Sequence, residues 1–514
     1  MAVPPSASAR AASGQVVTRA LRAPQRYDMA AAEWRGAATA SLWLRGRRTG
    51  GRWTRWARLD PSEQPLKRGS GTEPVWAGGY DWVQLRSSRP LPGLRLSFMR
   101  IREGARAAAA PRTISVQMPP PAGGTLQIVP RSAWGAARCK PRVTSGYGQV
   151  DFALVHHTTS LNSYTPAQSA AIVLGICLFH RDVNGWNDIG YNLLVDKYGQ
   201  VFEGRQGGID SPVVGAQAGG FNAVSTGIAT LGNFSRARFS AAGMNSLAHV
   251  IAWKLSLHGV PPEGQVTVTS EGGPFTPFRA GTRVTVNRIS GHRNVDSTAC
   301  PGSALYAQLP GLRQLVAGLE GPVSQLTLSS PAQTLTYPQP LVLNGTLAEP
   351  PGLAVPAGAT VEIQDRLPAG GRTLTTLPVA NGGFTGSLPV AHNDVVRAVF
   401  EGGNGLPRVV STPIYVTVIP VLTLQASAPT IAHGSPVTLT GTVAPAKAYV
   451  TIVEQVFRRG AFRQLRQIKL ATVAGRFTRA VTLGKAGSYR FIARSPVDRL
   501  TALGQSAPVD VTAG

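Results

Sequence analysis

The chain has 514 residues, 43% of them apolar and 15% charged, which is length for three or four domains of about 150 residues each and excludes a wholly disordered protein. Its longest apolar runs, such as Ala170 to Phe179, fall well short of the roughly eighteen residues a bilayer demands, which excludes a membrane-spanning helix. With 58 Gly, 40 Pro and few charges, the composition speaks for short strands and turns rather than long helical bundles.

The formal net charge is +26, carried almost wholly by Arg, since only seven residues are Lys. Residues 1–125 hold 20 basic against 7 acidic side chains, residues 126–320 hold 15 against 10, and residues 321–514 hold 16 against 8. Such an excess fits a polyanionic partner, either nucleic acid or an anionic cell-wall polymer. A GC-rich genome, which enriches Arg, Ala, Gly and Pro together, would produce it as well. No zinc finger, helix-turn-helix signature or aromatic–basic sheet pattern is legible, so no nucleic-acid partner is expected.

Residues 1–25 are Ala- and Arg-rich without an apolar core of seven or more residues. They read as a disordered lead in which no secretory signal is visible. Residues 26–102 alternate short apolar runs with Gly- and Pro-bearing turns and predict a small all-β domain. Trp43, Trp53, Trp56, Trp76 and Trp82 are dense there; they either fill a small core or stack against sugar rings. Residues 103–125 have linker composition.

Residues 126–320 predict an α/β domain with a mixed sheet. The strand-like run Phe152–Val155 ends at His156, and Thr165-Pro166 is a capped helix start leading to about Arg181. Tyr191–Asp196 and Gln200–Glu203 flank a Lys197-Tyr198-Gly199 hairpin. Ser240 caps a long amphipathic helix that Gly259 and Pro261 end. Beyond it, residues 322–419 and 420–514 repeat: Pro340-Leu-Val-Leu-Asn-Gly-Thr-Leu returns as Pro436-Val-Thr-Leu-Thr-Gly-Thr-Val, and Gly383-Phe384-Thr385 returns as Arg476-Phe477-Thr478. The period suits two tandem immunoglobulin-like β-sandwiches.

Chemistry concentrates in the middle domain. His156-His157 closes a buried strand, Gly291-His292-Arg293 follows later, and Thr298-Ala299-Cys300-Pro301-Gly302 completes the set. Two imidazoles and a thiolate are good zinc ligands, and three protein ligands with an open fourth position define a catalytic rather than a structural site. Pro301 reads as a first helical residue, which would place Cys300 at a helix N-terminus and favour its thiolate.

With Ile128-Val-Pro-Arg-Ser-Ala-Trp134-Gly-Ala, Trp186-Asn-Asp-Ile-Gly-Tyr191, Glu203-Gly-Arg205 and Phe221-Asn222 in order between these blocks, residues 126–316 resemble the peptidoglycan recognition proteins and the phage-lysozyme-like amidases. The resemblance implies a zinc N-acetylmuramoyl-L-alanine amidase that cuts the lactyl–L-alanine amide of bacterial peptidoglycan, or a module that binds peptidoglycan without cutting it. It implies Zn2+ on His156, His292 and Cys300, Tyr191 as the catalytic tyrosine, and Thr298 beside the reacting atoms. His157 would be second shell or groove lining. Trp186, Arg205, Gln217 and Asn222 are substrate-groove candidates, with Gln217 standing where relatives often carry His. Cys300 being claimed by metal, Cys139 and Cys177 remain as an even pair, either a disulfide or two buried thiols. A disulfide, together with the wall substrate, places a monomeric protein outside the cell or in the cell wall.

Overall fold

The computed structural model describes every residue except 4–7, 11–14, 37–39, 60, 62–68, 102–110, 322, 351, 366–370 and 404. It divides into two compact units, one formed by residues 1–325 with 349–354 and 401–410, the other by residues 326–348, 355–400 and 411–514.

The N-terminal region is an eight-stranded sheet built on two long antiparallel strands, Leu21–Trp34 and Val75–Ser87. Leu42–Arg47 pairs with the second and Arg95–Met99 with the first. Alternation turns Leu42, Leu44, Val83 and Leu85 into one core with Tyr27 and Leu96. The expected lead is part of this sheet: Ser8–Arg10 pairs with Val16–Thr18, which adds to Val75–Ser87. Strands of three residues in a polar, Ala-rich text carry too little alternation to be read from sequence.

The central sheet has seven strands in the order Ile289–Gly291, Phe152–His157, Ser225–Thr230, Leu193–Val195, Val201–Glu203, Thr125–Val129, Ile114–Gln117. It is mixed, with Phe152–His157 parallel to both neighbours and Leu193–Val195 antiparallel to Val201–Glu203 across the Lys197–Gly199 hairpin. Its last strand, Ile114–Gln117, lies in the stretch expected to be linker; residues 103–110 of that stretch lie outside the described residues. Helix α1 (Ser169–Leu178) follows a 3-10 turn at Pro166–Gln168, where the Thr165 amide donates to Gln168 Oε1. It gives way to a π turn at Phe179–Val183, so the regular helix stops three residues before the expected end. Helix α2 (Ala241–Leu257) is capped by Ser240, whose hydroxyl accepts from the Gly243 amide at 3.1 Å. No helix among the described residues is long and apolar enough to cross a membrane.

The two regions expected to be independent share a core. Met29, Trp76 and Ile101 are buried with Ile172, Val173 and Cys177 of α1. Gly175, in the middle of α1, is costly for a helix by about 1 kcal/mol against Ala; a Cβ there would overlap Met29 and Ile101. The glycine buys close approach of the N-terminal sheet. Cys177 is joined to Cys139 in a disulfide, which ties α1 to the loop before the central strand.

The C-terminal unit holds two copies of one arrangement, each with a three-stranded and a six-stranded sheet in matching strand order. In the second copy, Leu439 and Phe477 of one sheet are buried against Ile452 and Phe491 of the other, so the sheets sandwich a common core. The sequence repeat falls on equivalent strand pairs: Gly345 faces Phe384 and Gly441 faces Phe477. A Cβ at either glycine would overlap the facing ring, which explains why Gly and Phe recur together.

Helix α3 (Leu309–Leu319) ends at Glu320, whose carboxylate oxygens are buried with no hydrogen-bond partner among the described residues. Burial pushes this carboxyl up to about 9. Unfolding returns it to the ordinary range near 4.5, so between those values the unfolded chain holds fewer protons and stability falls as pH rises. Glu320→Gln is therefore expected to raise the melting temperature at pH 8 by roughly 3 °C or more and to leave it nearly unchanged at pH 4; thermal melts at both pH values measure this.

Candidate metal centre

His156 is the penultimate residue of the strand Phe152–His157, and because neighbouring strand residues face opposite sides, it and His157 point apart. The parallel partner strand runs from Ile289 to Gly291 with Gly291 opposite Val155, so the next residue, His292, emerges beside His156. The two rings lie 4.4 Å apart between centroids. The chain then turns back to bring Cys300 Sγ within 3.6 Å of His156 Nδ1. One ligand atom from each of His156, His292 and Cys300 lies within 4.8 Å of the others, and all three side chains are buried. Cys300 is not at a helix N-terminus as expected: the helical turn starts at Ser303, after Gly302. The sulfur instead takes an N–H contact from the His157 backbone at 3.4 Å.

Each imidazole is held from behind. His156 Nε2 is 2.5 Å from Gln217 Oε1, and His292 Nε2 is 2.8 Å from Asp296 Oδ2. An amide or carboxylate oxygen only accepts, so in the neutral rings Nε2 carries the proton and Nδ1 keeps the lone pair. Gln217 is fixed in that sense because its Nε2 donates to Ser225 Oγ at 2.9 Å. Gly227 makes room for it: a Cβ there would overlap Cγ and Cδ of Gln217. Asp296 also accepts from the Gly219 amide at 2.9 Å. Two Nδ1 lone pairs and a cysteine sulfur, with their outer hydrogen bonds already made, form a donor set that fits a zinc ion.

Tyr191 is buried beside His156, 5.4 Å between ring centroids, and on its other side lies His180 at 5.6 Å. His180 in turn contacts the half-buried Trp186 at 4.4 Å and accepts the Gly190 amide on Nδ1 at 3.1 Å. Thr298 Oγ1 accepts the Cys300 amide at 3.0 Å, which shapes the loop that carries the sulfur. Arg205 donates to the Ile189 carbonyl at 3.1 Å, and burial pushes its guanidinium pKa down. His157 accepts the Phe234 amide on Nδ1 and serves Cys300 through its own backbone.

Two groove candidates have other work. Gln217 is buried behind His156, and Asn222 Oδ1 accepts the amides of Gln217 and Ala218 at 2.7 and 3.0 Å. Both therefore build the wall behind the His156 ring, because a short loop between strands needs its amides satisfied. Sequence reasoning missed His180 and Asp296. Asp296 had a signal, four residues after a ligand His; His180 had none, since its neighbours are distant in sequence.

Residues 146–303 match the family model for N-acetylmuramoyl-L-alanine amidase, and residues 2–119 match one described as Rv3811 N-terminal galactose-binding domain-like. The chain is 31% identical to peptidoglycan-recognition protein SC2 of Drosophila simulans over 184 residues, which cover 36% of this chain and 85% of that one. The chain belongs to the peptidoglycan-recognition protein family. Human N-acetylmuramoyl-L-alanine amidase is 30% identical over 190 residues, 36% of this chain but only 28% of that longer one. The solved structure of bumblebee PGRP-SA matches at 25% identity with a TM-score of 0.28, covering 36% of this chain and 93% of that one. At family level this peptidoglycan-recognition protein is a peptidoglycan amidase or a peptidoglycan-binding protein.

The outer hydrogen bonds predict a metal phenotype without reference to turnover. Gln217→Leu should weaken zinc binding roughly 10–100-fold, measured by competition with a chromophoric chelator, while Gln217→Glu, which keeps an acceptor, should retain it.

Proposed function

We propose that the chain is a zinc-dependent N-acetylmuramoyl-L-alanine amidase that hydrolyses the lactyl–L-alanine amide of peptidoglycan. The observation that carries this is the buried, inward-facing trio His156, His292 and Cys300 with no fourth protein ligand among the described residues. A closed structural site would use four. A zinc ion held by these three supplies Lewis acidity and a water acidic enough to ionise near neutral pH.

The chain's own residues do the rest. Gln217 and Asp296 hold the two rings in the tautomer that faces the site. Tyr191, whose ring lies 5.4 Å from that of His156 and 5.6 Å from that of His180, would donate its phenol proton in a hydrogen bond to the amide carbonyl oxygen as that oxygen gains charge. The water oxygen joins the carbonyl carbon, the C–N bond breaks, and the L-alanine nitrogen leaves with a proton as a free amino terminus. Thr298, whose hydroxyl oxygen accepts the Cys300 amide, would lie beside the reacting atoms. Trp186 and Arg205, next to the Tyr191 segment, line the approach of the muramyl peptide.

The Cys139–Cys177 disulfide supports a location outside the cytoplasm, since such bonds persist in oxidising surroundings. The C-terminal sandwiches we read as immunoglobulin-like spacers; they contribute no residue to the trio.

Incubation with purified peptidoglycan should release L-alanine amino termini, and a chelator or Cys300→Ala should abolish release. Peptidoglycan retained on the protein without any release would favour the binding-only reading. Tyr191→Phe should lower kcat by roughly 10–1000-fold with zinc content unchanged; a normal kcat would make Tyr191 a packing residue.

A further inference from the structure

The outer face of the N-terminal sheet carries a chemistry that amide hydrolysis does not use. In Leu42–Arg47 and Val75–Ser87 the residues that alternate away from the core are Trp43, Arg45, Arg47 and Trp82, Gln84, Arg86. Register sets Trp43 opposite Arg86, Arg45 opposite Gln84 and Arg47 opposite Trp82. Trp53 and Trp56, from the loop that follows, close over them.

Each of the three guanidinium groups lies against two indole rings. Arg45 is 5.1 and 4.5 Å from the centroids of Trp53 and Trp56, Arg47 is 4.9 and 5.5 Å from Trp53 and Trp82, and Arg86 is 4.5 and 5.1 Å from Trp43 and Trp56. Among the described residues none of the three has a carboxylate partner; Arg45 donates to the neutral Gln84 side chain. The region's described acids are engaged elsewhere. Asp81 pairs with Arg26, Glu33 with Arg95, Asp28 accepts the Ile101 amide, and Glu73 lies 3.9 Å from His180. Exposed Arg22 and Arg58 extend the positive face, opposite Trp82 and Trp43.

This is the aromatic–basic sheet that the sequence did not disclose, and its geometry selects a ligand. Sugar rings and nucleobases need bare indole faces to stack on, and here guanidinium groups already occupy ring surface. Contact with two indoles restrains each guanidinium, whose N–H groups match phosphate oxygens. Arg45 and Arg47, two apart on one strand, are spaced about 7 Å, a repeat suited to a polymer with one charge per short unit.

We propose that this Arg–Trp face binds a phosphodiester-linked polyol polymer of the cell wall. The choice of a wall polymer over other phosphodiesters rests on the peptidoglycan reading. Because Met29, Trp76 and Ile101 of the same sheet are buried with α1, a chain bound there holds the metal centre near the wall and raises its effective concentration on insoluble substrate.

The test uses the full chain and poly(glycerol phosphate) as probe, with dextran and poly-dT as controls, in a surface-binding assay from low to physiological salt. Expected are binding to poly(glycerol phosphate) but not dextran, weakening linearly in log salt, and a loss of roughly 10-fold or more in R22Q/R58Q with unchanged melting. The exposed pair is chosen because its loss leaves the stacked arginines in place. Unchanged affinity in R22Q/R58Q, with loss only in a destabilised R45Q/R47Q/R86Q chain, would make the stack purely structural and overturn the proposal. Equal binding to dextran, or tighter binding to poly-dT, would also overturn it. Cleavage of soluble muropeptides by R22Q/R58Q should match that of the unaltered chain. A chain that binds the polymer yet never cleaves muropeptides would refute the amidase reading and leave this one standing.

Discussion

Three good metal ligands within 4.8 Å of one another in a water-poor interior form the constraint to which much of the central domain answers. A sulfur and two ring nitrogens buried there are costly unless their polar atoms are hydrogen-bonded. The fold compensates on the outward side, through Gln217 on one ring, Asp296 on the other and the His157 amide on the sulfur. These partners in turn dictate their surroundings. Gly227 is small because Gln217 passes over it, Asn222 accepts two amides so that the loop carrying Gln217 can turn, and Gly219 donates to Asp296. A departure from the histidine that relatives often carry at position 217 is thus tolerable, because what the ring behind it needs is an acceptor and Gln has one.

The second dependence is between regions. The N-terminal sheet is not tethered beads-on-a-string to the central domain but buried against α1, with Gly175 allowing the contact and the disulfide at nearby Cys177 fixing the helix to the Cys139 loop. The Glu73 carboxylate, just before the strand Val75–Ser87, reaches within 3.9 Å of His180, whose ring lies 5.6 Å from that of Tyr191. Removal of the N-terminal sheet would expose the Met29 and Ile101 side of the helix, so the central domain is expected to lose stability when cut out alone.

Local chemistry explains what the sequence disclosed. Thr165-Pro166, Ser240 and the Lys197–Gly199 hairpin are short-range signals, and each falls where its hydrogen bonds require. The repeat was legible because Gly345/Phe384 and Gly441/Phe477 satisfy one steric rule twice. The trio was legible because its residues sit in distinctive local text. What stayed hidden depends on contacts over long separations: Gln217 behind a ring 61 residues away, His180 beneath Tyr191, and the pairing of Trp43-x-Arg45-x-Arg47 with Trp82-x-Gln84-x-Arg86. The strands within residues 1–25 were missed because three-residue pieces are stabilised by a neighbouring strand, not by their own pattern.

X-ray absorption at the zinc edge of the purified, metal-loaded chain tests the central claim most directly, because it reads the donor set without reference to turnover. The account predicts two imidazole nitrogens and one sulfur, with the fourth position taken by a light solvent atom. A first shell without sulfur, or one closed by four protein donors, would contradict it.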